Sequence, residues 1–390
     1  MSLPVPAFAG MTGQSRLVSL DSRLPSGKAA GFRGNDNLNV KCKEELDVPQ
    51  LRGIPMDKMM TKRRARIAGC GKYVPETVVK SEELEKRLSL PAGWVEMHCG
   101  VKERRFAKEG ELPSDFAVRA AKAAFESAGC GIDDIDLIIF ASTGKDRTIP
   151  ATSAIIQYKL RATKYIPTID LNSVCVSFLF GFDIARLYIE NGIYNNVLVV
   201  SAELCSRVLN WKDKNSAILF GDAAAAVVLS ASLDNQESEV IFSYFATDGS
   251  KSNEITIKGG GIEYLPHKTF DHPELNMFEM SGLASFRNSM SVANLLFDTL
   301  FQGSKLGKDD YKCIVFHQAN LPALKKFIKK VNIPLDKWYI DIDKYGNTAS
   351  ASIPLALCEA IEDKTIKRGD KIIMAAVGAG FSWGGCCIIY

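Results

Sequence analysis

The chain has 390 residues, 46% of them hydrophobic, and a formal net charge of +3. That length exceeds one ordinary domain and can bury a large core. So even a charge balance argues against nucleic acid or a membrane surface as a partner, and no apolar run reaches the roughly 18 residues of a membrane helix. Residues 1–59 are rich in Gly, Pro, Ser, Asn and Arg and hold no helical or strand period. They are expected to be a disordered extension or a misassigned start, without the basic and apolar regions of a signal peptide. From residue 60 onward, strand-like and helix-like segments alternate. A helical pattern runs from Asp115 to Ala128 and closes at Gly129, and Leu137-Ile-Ile-Phe-Ala-Ser reads as a buried strand. The helix after Cys175 ends at Asn191-Gly192 and is followed by the buried strand Asn196-Val-Leu-Val-Val-Ser. Residues 238–280 are polar and turn-rich, an excursion between two halves. Lys258-Gly-Gly-Gly-Ile within them lacks the context of a phosphate loop and reads as a turn. In the second half the expected elements are a helix over 285–306, a strand over 313–316, helices over 321–331 and 349–361, and strands over 371–376 and 386–390. Apolar strands alternating with helices indicate an α/β protein, divided at about residues 60–232 and 233–390.

Ten cysteines show no CxxC pair and no Cys/His ligand spacing, which fits a reduced cytoplasmic protein without a zinc site. One of them is placed for chemistry. Cys175, in Asn172-Ser-Val-Cys-Val-Ser-Phe, follows a strand-like stretch and opens a helix that is apolar on nearly every face. Unpaired N–H groups and the positive dipole end at such a helix start favour a thiolate; the alternative is a small buried apolar residue. Of four histidines, His317 stands directly after the apolar strand Cys313-Ile-Val-Phe, where α/β sheets present functional side chains. His267 and His272 flank a polar loop and are expected to be solvated. Asn347 lies in a Gly-bearing loop before a helix of small residues, a position that also suits a plain turn or cap asparagine.

Read together, four blocks carry a likeness. They are Arg66-Ile-Ala-Gly-Cys-Gly-Lys-Tyr-Val-Pro-Glu, Gly93-Trp-Val-Glu-Met-His-Cys-Gly-Val-Lys-Glu-Arg, Leu219-Phe-Gly-Asp-Ala-Ala-Ala-Ala and Gly378-Ala-Gly-Phe-Ser-Trp-Gly. With His317-Gln-Ala-Asn and Gly346-Asn-Thr-Ala-Ser-Ala-Ser, they make residues 61–390 resemble β-ketoacyl-acyl-carrier-protein synthase III, a condensing enzyme of the thiolase superfamily. The resemblance implies a thiolase-like fold: two similar α/β halves with central mixed sheets in α-β-α-β-α layers. It implies a catalytic triad of Cys175, His317 and Asn347, with backbone N–H groups of Cys175 and Ala379 as the oxyanion hole. The implied reaction is a decarboxylative Claisen condensation of an acyl thioester with malonyl-acyl carrier protein, giving a β-ketoacyl thioester for fatty acid or polyketide initiation. No metal or redox cofactor is implied. Acyl-coenzyme A or acyl carrier protein brings the substrates, and a homodimer is expected.

The entrance departs from the family pattern. The coenzyme A mouth is usually a Trp with arginines. Here Trp94 is present, but the arginine positions read His98, Lys214 and Pro322. Arg and Lys are not interchangeable where stacking or bidentate phosphate contact matters. Lys325, Lys326, Lys329 and Lys330 form a basic face after His317 that could meet an acidic carrier, or simply face solvent. Three other readings compete. An acyltransferase of this fold would transfer without decarboxylation, a thiolase or hydroxymethylglutaryl-type synthase would use a second Cys or a Glu as base, and a non-catalytic partner subunit would lack the Cys.

Overall fold

The computed structural model describes residues 63–232 and 238–390, so the expected leader over 1–59 lies outside the described residues. Five strands build a first sheet: β1 Ala65–Tyr73, β2 Leu137–Ala141, β3 Thr168–Leu171, β4 Asn196–Leu204 and β5 Asp222–Ala231. Four build a second: β6 Glu239–Thr247, β7 Cys313–Phe316, β8 Lys371–Gly378 and β9 Ser382–Ile389. The helices that bear on function are α1 Trp94–Cys99, α2 Pro113–Ala128, α3 Thr152–Leu160, α4 Ser177–Glu190, α5 Gly282–Ser304, α6 Leu321–Val331 and α7 Ser352–Glu362.

The two sheets share one topology. The first runs β1-β5-β4-β2-β3, with β1/β5 and β5/β4 antiparallel and β4/β2 and β2/β3 parallel. The second runs β6-β9-β8-β7 with the same sequence of orientations. Where β3 would lie, Trp338 makes a single parallel bridge to Ile314 of β7. The excursion expected over 238–280 thus opens on a nine-residue strand, β6. Its first eight residues are all half-buried, so no in-out alternation marked it in the sequence.

Period-two alternation sets the layers. On β5, Ala224, Ala226 and Val228 face the outer core with α2, whereas Val227 and Leu229 face the inner core. That inner core joins both sheets through α4 (Phe178, Leu179, Phe182) and α7 (Ile353, Ala356, Leu357). Outside the second sheet, α5 and α6 pack through Leu296, Phe297, Leu324 and Phe327. The result is five layers, α-β-α-β-α, the thiolase-like arrangement. Close approach of α2 to β1 requires two glycines. A Cβ on Gly71 would lie 2.2 Å from the Ala124 nitrogen, and one on Gly69 would lie 2.4 Å from that of Ala128. Among the described residues no helix is long and apolar enough to cross a membrane.

Candidate active site

Cys175 sits in a single 3-10 turn, Val174–Val176, between β3 and the buried helix α4. Val174 takes a φ of 51°, which reverses the chain sharply ahead of the cysteine. Local side chains hold this turn. The Val174 N–H donates to Asn172 Oδ1 at 3.0 Å, the Ser173 N–H donates to Ser177 Oγ at 2.7 Å, and that hydroxyl donates to the Val174 carbonyl at 2.7 Å. Burial, then the negative charge of Glu203, pushes the Cys175 thiol up to about 12. Against the thiolate expected at a helix start, desolvation outweighs the local N–H groups and favours the thiol.

His317 follows β7, is 4% exposed and donates its backbone N–H to the Ala375 carbonyl at 3.0 Å. Burial lowers its imidazole to about 4, and Nδ1 has no hydrogen-bond partner among the described residues. It is neutral at physiological pH. The next residues fix its loop. Gln318 Oε1 accepts from the N–H groups of Asp341 and Ile342 at 3.0 Å each, and Nε2 donates to the Tyr339 carbonyl at 3.1 Å. Asn320 caps α6 by accepting from the Ala323 N–H at 3.0 Å, and its Nδ2 donates to the His98 carbonyl at 2.9 Å.

Asn347 is gripped by the Phe220-Gly221-Asp222 turn. Its N–H donates to the Leu219 carbonyl at 2.8 Å, and the Gly221 N–H donates to the Asn347 carbonyl at 3.1 Å. Only glycine fits at 221, where a Cβ would lie 2.1 Å from the Tyr345 oxygen. Asp222 anchors the same turn, accepting from the Ala107 N–H at 2.7 Å and the Ser206 N–H at 2.8 Å; burial raises its carboxyl to about 6. Asn347 Oδ1 accepts from the Ala349 N–H at 2.9 Å, which leaves the amide nitrogen as the available donor.

Cys175, His317, Asn347 and Ala379 all line one cavity of about 1320 Å³. Its walls are mainly apolar, with Leu204, Ile218, Phe278, Met280 and Phe286 among them. The Gly378 loop lies against the Cys175 turn: a Cβ on Gly378 would be 3.1 Å from that of Cys175. Trp94 and His98 also line the cavity and stack on each other, with ring centres 3.7 Å apart and planes at 20°. Lys214 Nζ lies 5.4 Å from the Trp94 ring centre, though Lys214 itself is not part of the lining. Pro322 lines the cavity as well. On α6, Lys325, Lys326, Lys329 and Lys330 are all exposed, and Lys326 reaches the cavity edge 5.5 Å above the Phe286 ring. His267 and His272 are exposed, as expected. Among the described residues no group of three or more His, Cys, Asp or Glu could hold a metal ion.

Sequence reasoning missed Glu203, a buried carboxylate in the cavity wall at the end of β4. Its one signal was an acidic residue closing an otherwise apolar strand.

Residues 169–249 match the family described as 3-oxoacyl-[acyl-carrier-protein (ACP)] synthase III, and residues 301–390 match its C-terminal part. The β-ketoacyl-[acyl-carrier-protein] synthase III of Vesicomyosocius okutanii is 37% identical over 324 residues, 83% of this chain and 98% of that protein. The chain belongs to the β-ketoacyl-acyl-carrier-protein synthase III family. The synthase III of Clostridioides difficile is 35% identical over 82% of this chain and 97% of its own length. Among solved structures, the Aquifex aeolicus synthase III covers 84% of this chain and all of its own, with a TM-score of 0.75 and 32% identity. The priming β-ketosynthase of the R1128 polyketide pathway covers 84% of this chain and 97% of its own, with a TM-score of 0.77 and 26% identity.

Proposed function

We propose that this synthase III is an acyltransferase that condenses an acyl thioester primer with malonyl-acyl carrier protein and initiates fatty acid or polyketide chains. The observation that carries the reading is the meeting of Cys175, His317 and Asn347 in one apolar cavity of a synthase III fold. The Cys175 sulfur attacks the donor thioester carbonyl, and backbone N–H groups of Cys175 and Ala379 receive the oxyanion. The donor's thiol leaves with the Cys175 proton. Malonyl-carrier then loses CO2, and the resulting enolate oxygen accepts hydrogen bonds from His317 Nε2 and from the Asn347 amide. An imidazole held near 4 is neutral and keeps one ring proton, which in the Nε2–H tautomer is donated without offering a charge. The enolate carbon attacks the acyl-Cys carbonyl, the Cys175 thiolate leaves, and it regains a proton from solvent. Thioester and enolate chemistry of this kind needs no metal or redox cofactor.

Two features support a donor borne on acyl carrier protein over acyl-coenzyme A. The Trp94 ring is already stacked by His98 and approached by Lys214, and the four exposed α6 lysines suit an acidic carrier. A homodimer is supported by β3, an edge strand of the first sheet, and by Ile149, Tyr158 and Tyr165 around it, which are 82%, 82% and 80% exposed. Nine unpaired cysteines among the described residues suit the reducing cytoplasm.

Intact-mass spectrometry with acyl-coenzyme A and acyl-carrier donors tests the reading. One acyl adduct is expected on the wild type and none on Cys175→Ala. His317→Ala and Asn347→Ala are expected to keep acylation and lose malonyl-carrier decarboxylation; full condensation in both would overturn the triad.

A further inference from the structure

Glu203 is a buried ionisable group of the cavity to which the condensation steps give no task. It is 4% exposed and has no ion-pair partner among the described residues, and burial raises its carboxyl from the ordinary value. A carboxylate only accepts hydrogen bonds, and the protein aims donors at both of its oxygens. Oε1 accepts from the Thr143 N–H at 2.8 Å and from Ser350 Oγ at 2.5 Å, and Oε2 accepts from the Gly144 N–H at 3.2 Å.

These donors come from opposite parts of the fold. Thr143 and Gly144 follow β2 of the first sheet, whereas Ser350 lies in the Ala349–Ala351 turn that connects Asn347 to α7. That turn needs holding, because Ala349 adopts a φ of 47°, a conformation costly for any residue with a Cβ. It also matters to chemistry, because the Ala349 N–H is the donor that orients Asn347 Oδ1. A short chain of bonds therefore runs from the Glu203 carboxylate through Ser350 and the Ala349 N–H to the Asn347 amide. Glu203 is also the charge whose field reaches the Cys175 sulfur.

We propose that Glu203 is a positioning residue: by binding Ser350 it fixes the Ala349 turn, and with it the direction in which Asn347 presents its amide N–H to the enolate oxygen. The inference rests on the condensation reading above. Two variants probe different arms of the network. Ser350→Ala deletes only the hydroxyl link. Glu203→Gln keeps the shape but removes the charge and turns one acceptor into a donor facing a backbone N–H.

Acylation and malonyl-carrier decarboxylation are measured separately on wild type, Ser350→Ala, Glu203→Gln, Asn347→Ala and the Ser350→Ala/Asn347→Ala double variant. Ser350→Ala should acylate at the wild-type rate while kcat for decarboxylation falls about tenfold at unchanged KM, the rate equivalent of one hydrogen bond. The double variant should be no slower than Asn347→Ala alone, since Ser350 acts through that side chain. In Ser350→Ala, which keeps the charge, the pH midpoint for alkylation of Cys175 should stay, and in Glu203→Gln it should move down; a general loosening of the fold would rehydrate the thiolate and lower it in both. Equal losses in acylation and decarboxylation, additive losses in the double variant, an unmoved midpoint in Glu203→Gln or a lowered one in Ser350→Ala would overturn the assignment. Should Glu203→Gln fail to fold, Ser350→Ala and the double variant still decide it. A wild type that neither acylates nor decarboxylates would instead overturn the condensation reading.

Discussion

Burial acts on the two titratable members of the site in opposite directions. It pushes the Cys175 thiol up to about 12 and the His317 imidazole down to about 4, because in each case it disfavours the charged form. The resting pair is thus neutral thiol and neutral imidazole, not thiolate and imidazolium. Alkylation of Cys175 by iodoacetamide should keep rising from pH 6 to pH 9; a rate independent of pH over that range would show a preformed thiolate. Malonyl-carrier decarboxylation should show no His317 titration near 6.5, since the imidazole stays neutral down to about 4. A single midpoint near 6.5 that disappears in His317→Gln would refute this. Cys175 and His317 could be singled out from their places at a helix start and after a strand, whereas Asn347 also suited a plain turn, and only the family resemblance joined the three as a set. Glu203 was not legible, because its partners Thr143, Gly144 and Ser350 are distant in sequence and only folding gathers them. The thiolate expectation left desolvation out for the same reason: a helix start is local, whereas desolvation is tertiary.

Elements made of strongly apolar runs, such as β2, β4 and β7, could be read directly, and so could the amphipathic α6. Strand β6 could not, because an edge position half-buried on both faces leaves no period in the sequence. The glycines of the first motif, Gly69 and Gly71, gain their meaning only from packing, where they let β1 touch the backbone of α2. Gly71→Ala should destabilise the fold by about 1–3 kcal/mol, the usual range for overpacking, because its Cβ would meet backbone rather than a movable side chain. Gly249→Ala, at a site with nothing within 4 Å, should leave the urea midpoint unchanged and serves as the control. Equal midpoints for both variants would show that α2 can retreat from β1.

Across the whole molecule, buried carboxyls give stability an unusual pH dependence. Asp341 is 4% exposed, its Oδ2 has no partner among the described residues, and burial, with the nearby Glu359 charge, raises it to about 7. The native state therefore holds a proton that the unfolded chain releases near 4, so this residue's contribution falls as pH rises from about 4 to about 7. Asp341→Asn should gain stability over wild type across that window, by roughly 4 kcal/mol at pH 8. Urea unfolding at pH 4.5 and pH 8 measures it, and a pH-independent difference would rule out a buried charge. On oligomerisation, Tyr158→Glu on the exposed patch beside β3 should shift a size-exclusion dimer toward monomer. An unchanged elution volume would place any dimer contact elsewhere. The alternation of strands and helices, with the family resemblance, made two similar halves legible, but the strand order within each sheet was not, because no residues obviously repeat between them.

In the proposed condensation, the topology shared by the two sheets divides the labour. One repeat brings the sulfur, at the start of α4; the other brings the two hydrogen-bond donors, after β7 and ahead of α7. Neither repeat holds a complete site, so the alignment of sulfur with donors is set by how α4 and α7 lie in the shared middle layer. The inner core is then a ruler as well as a source of stability, and a slip of one helix along the other would misalign the proposed carbon–carbon bond-forming step while leaving every side chain of the proposed triad intact.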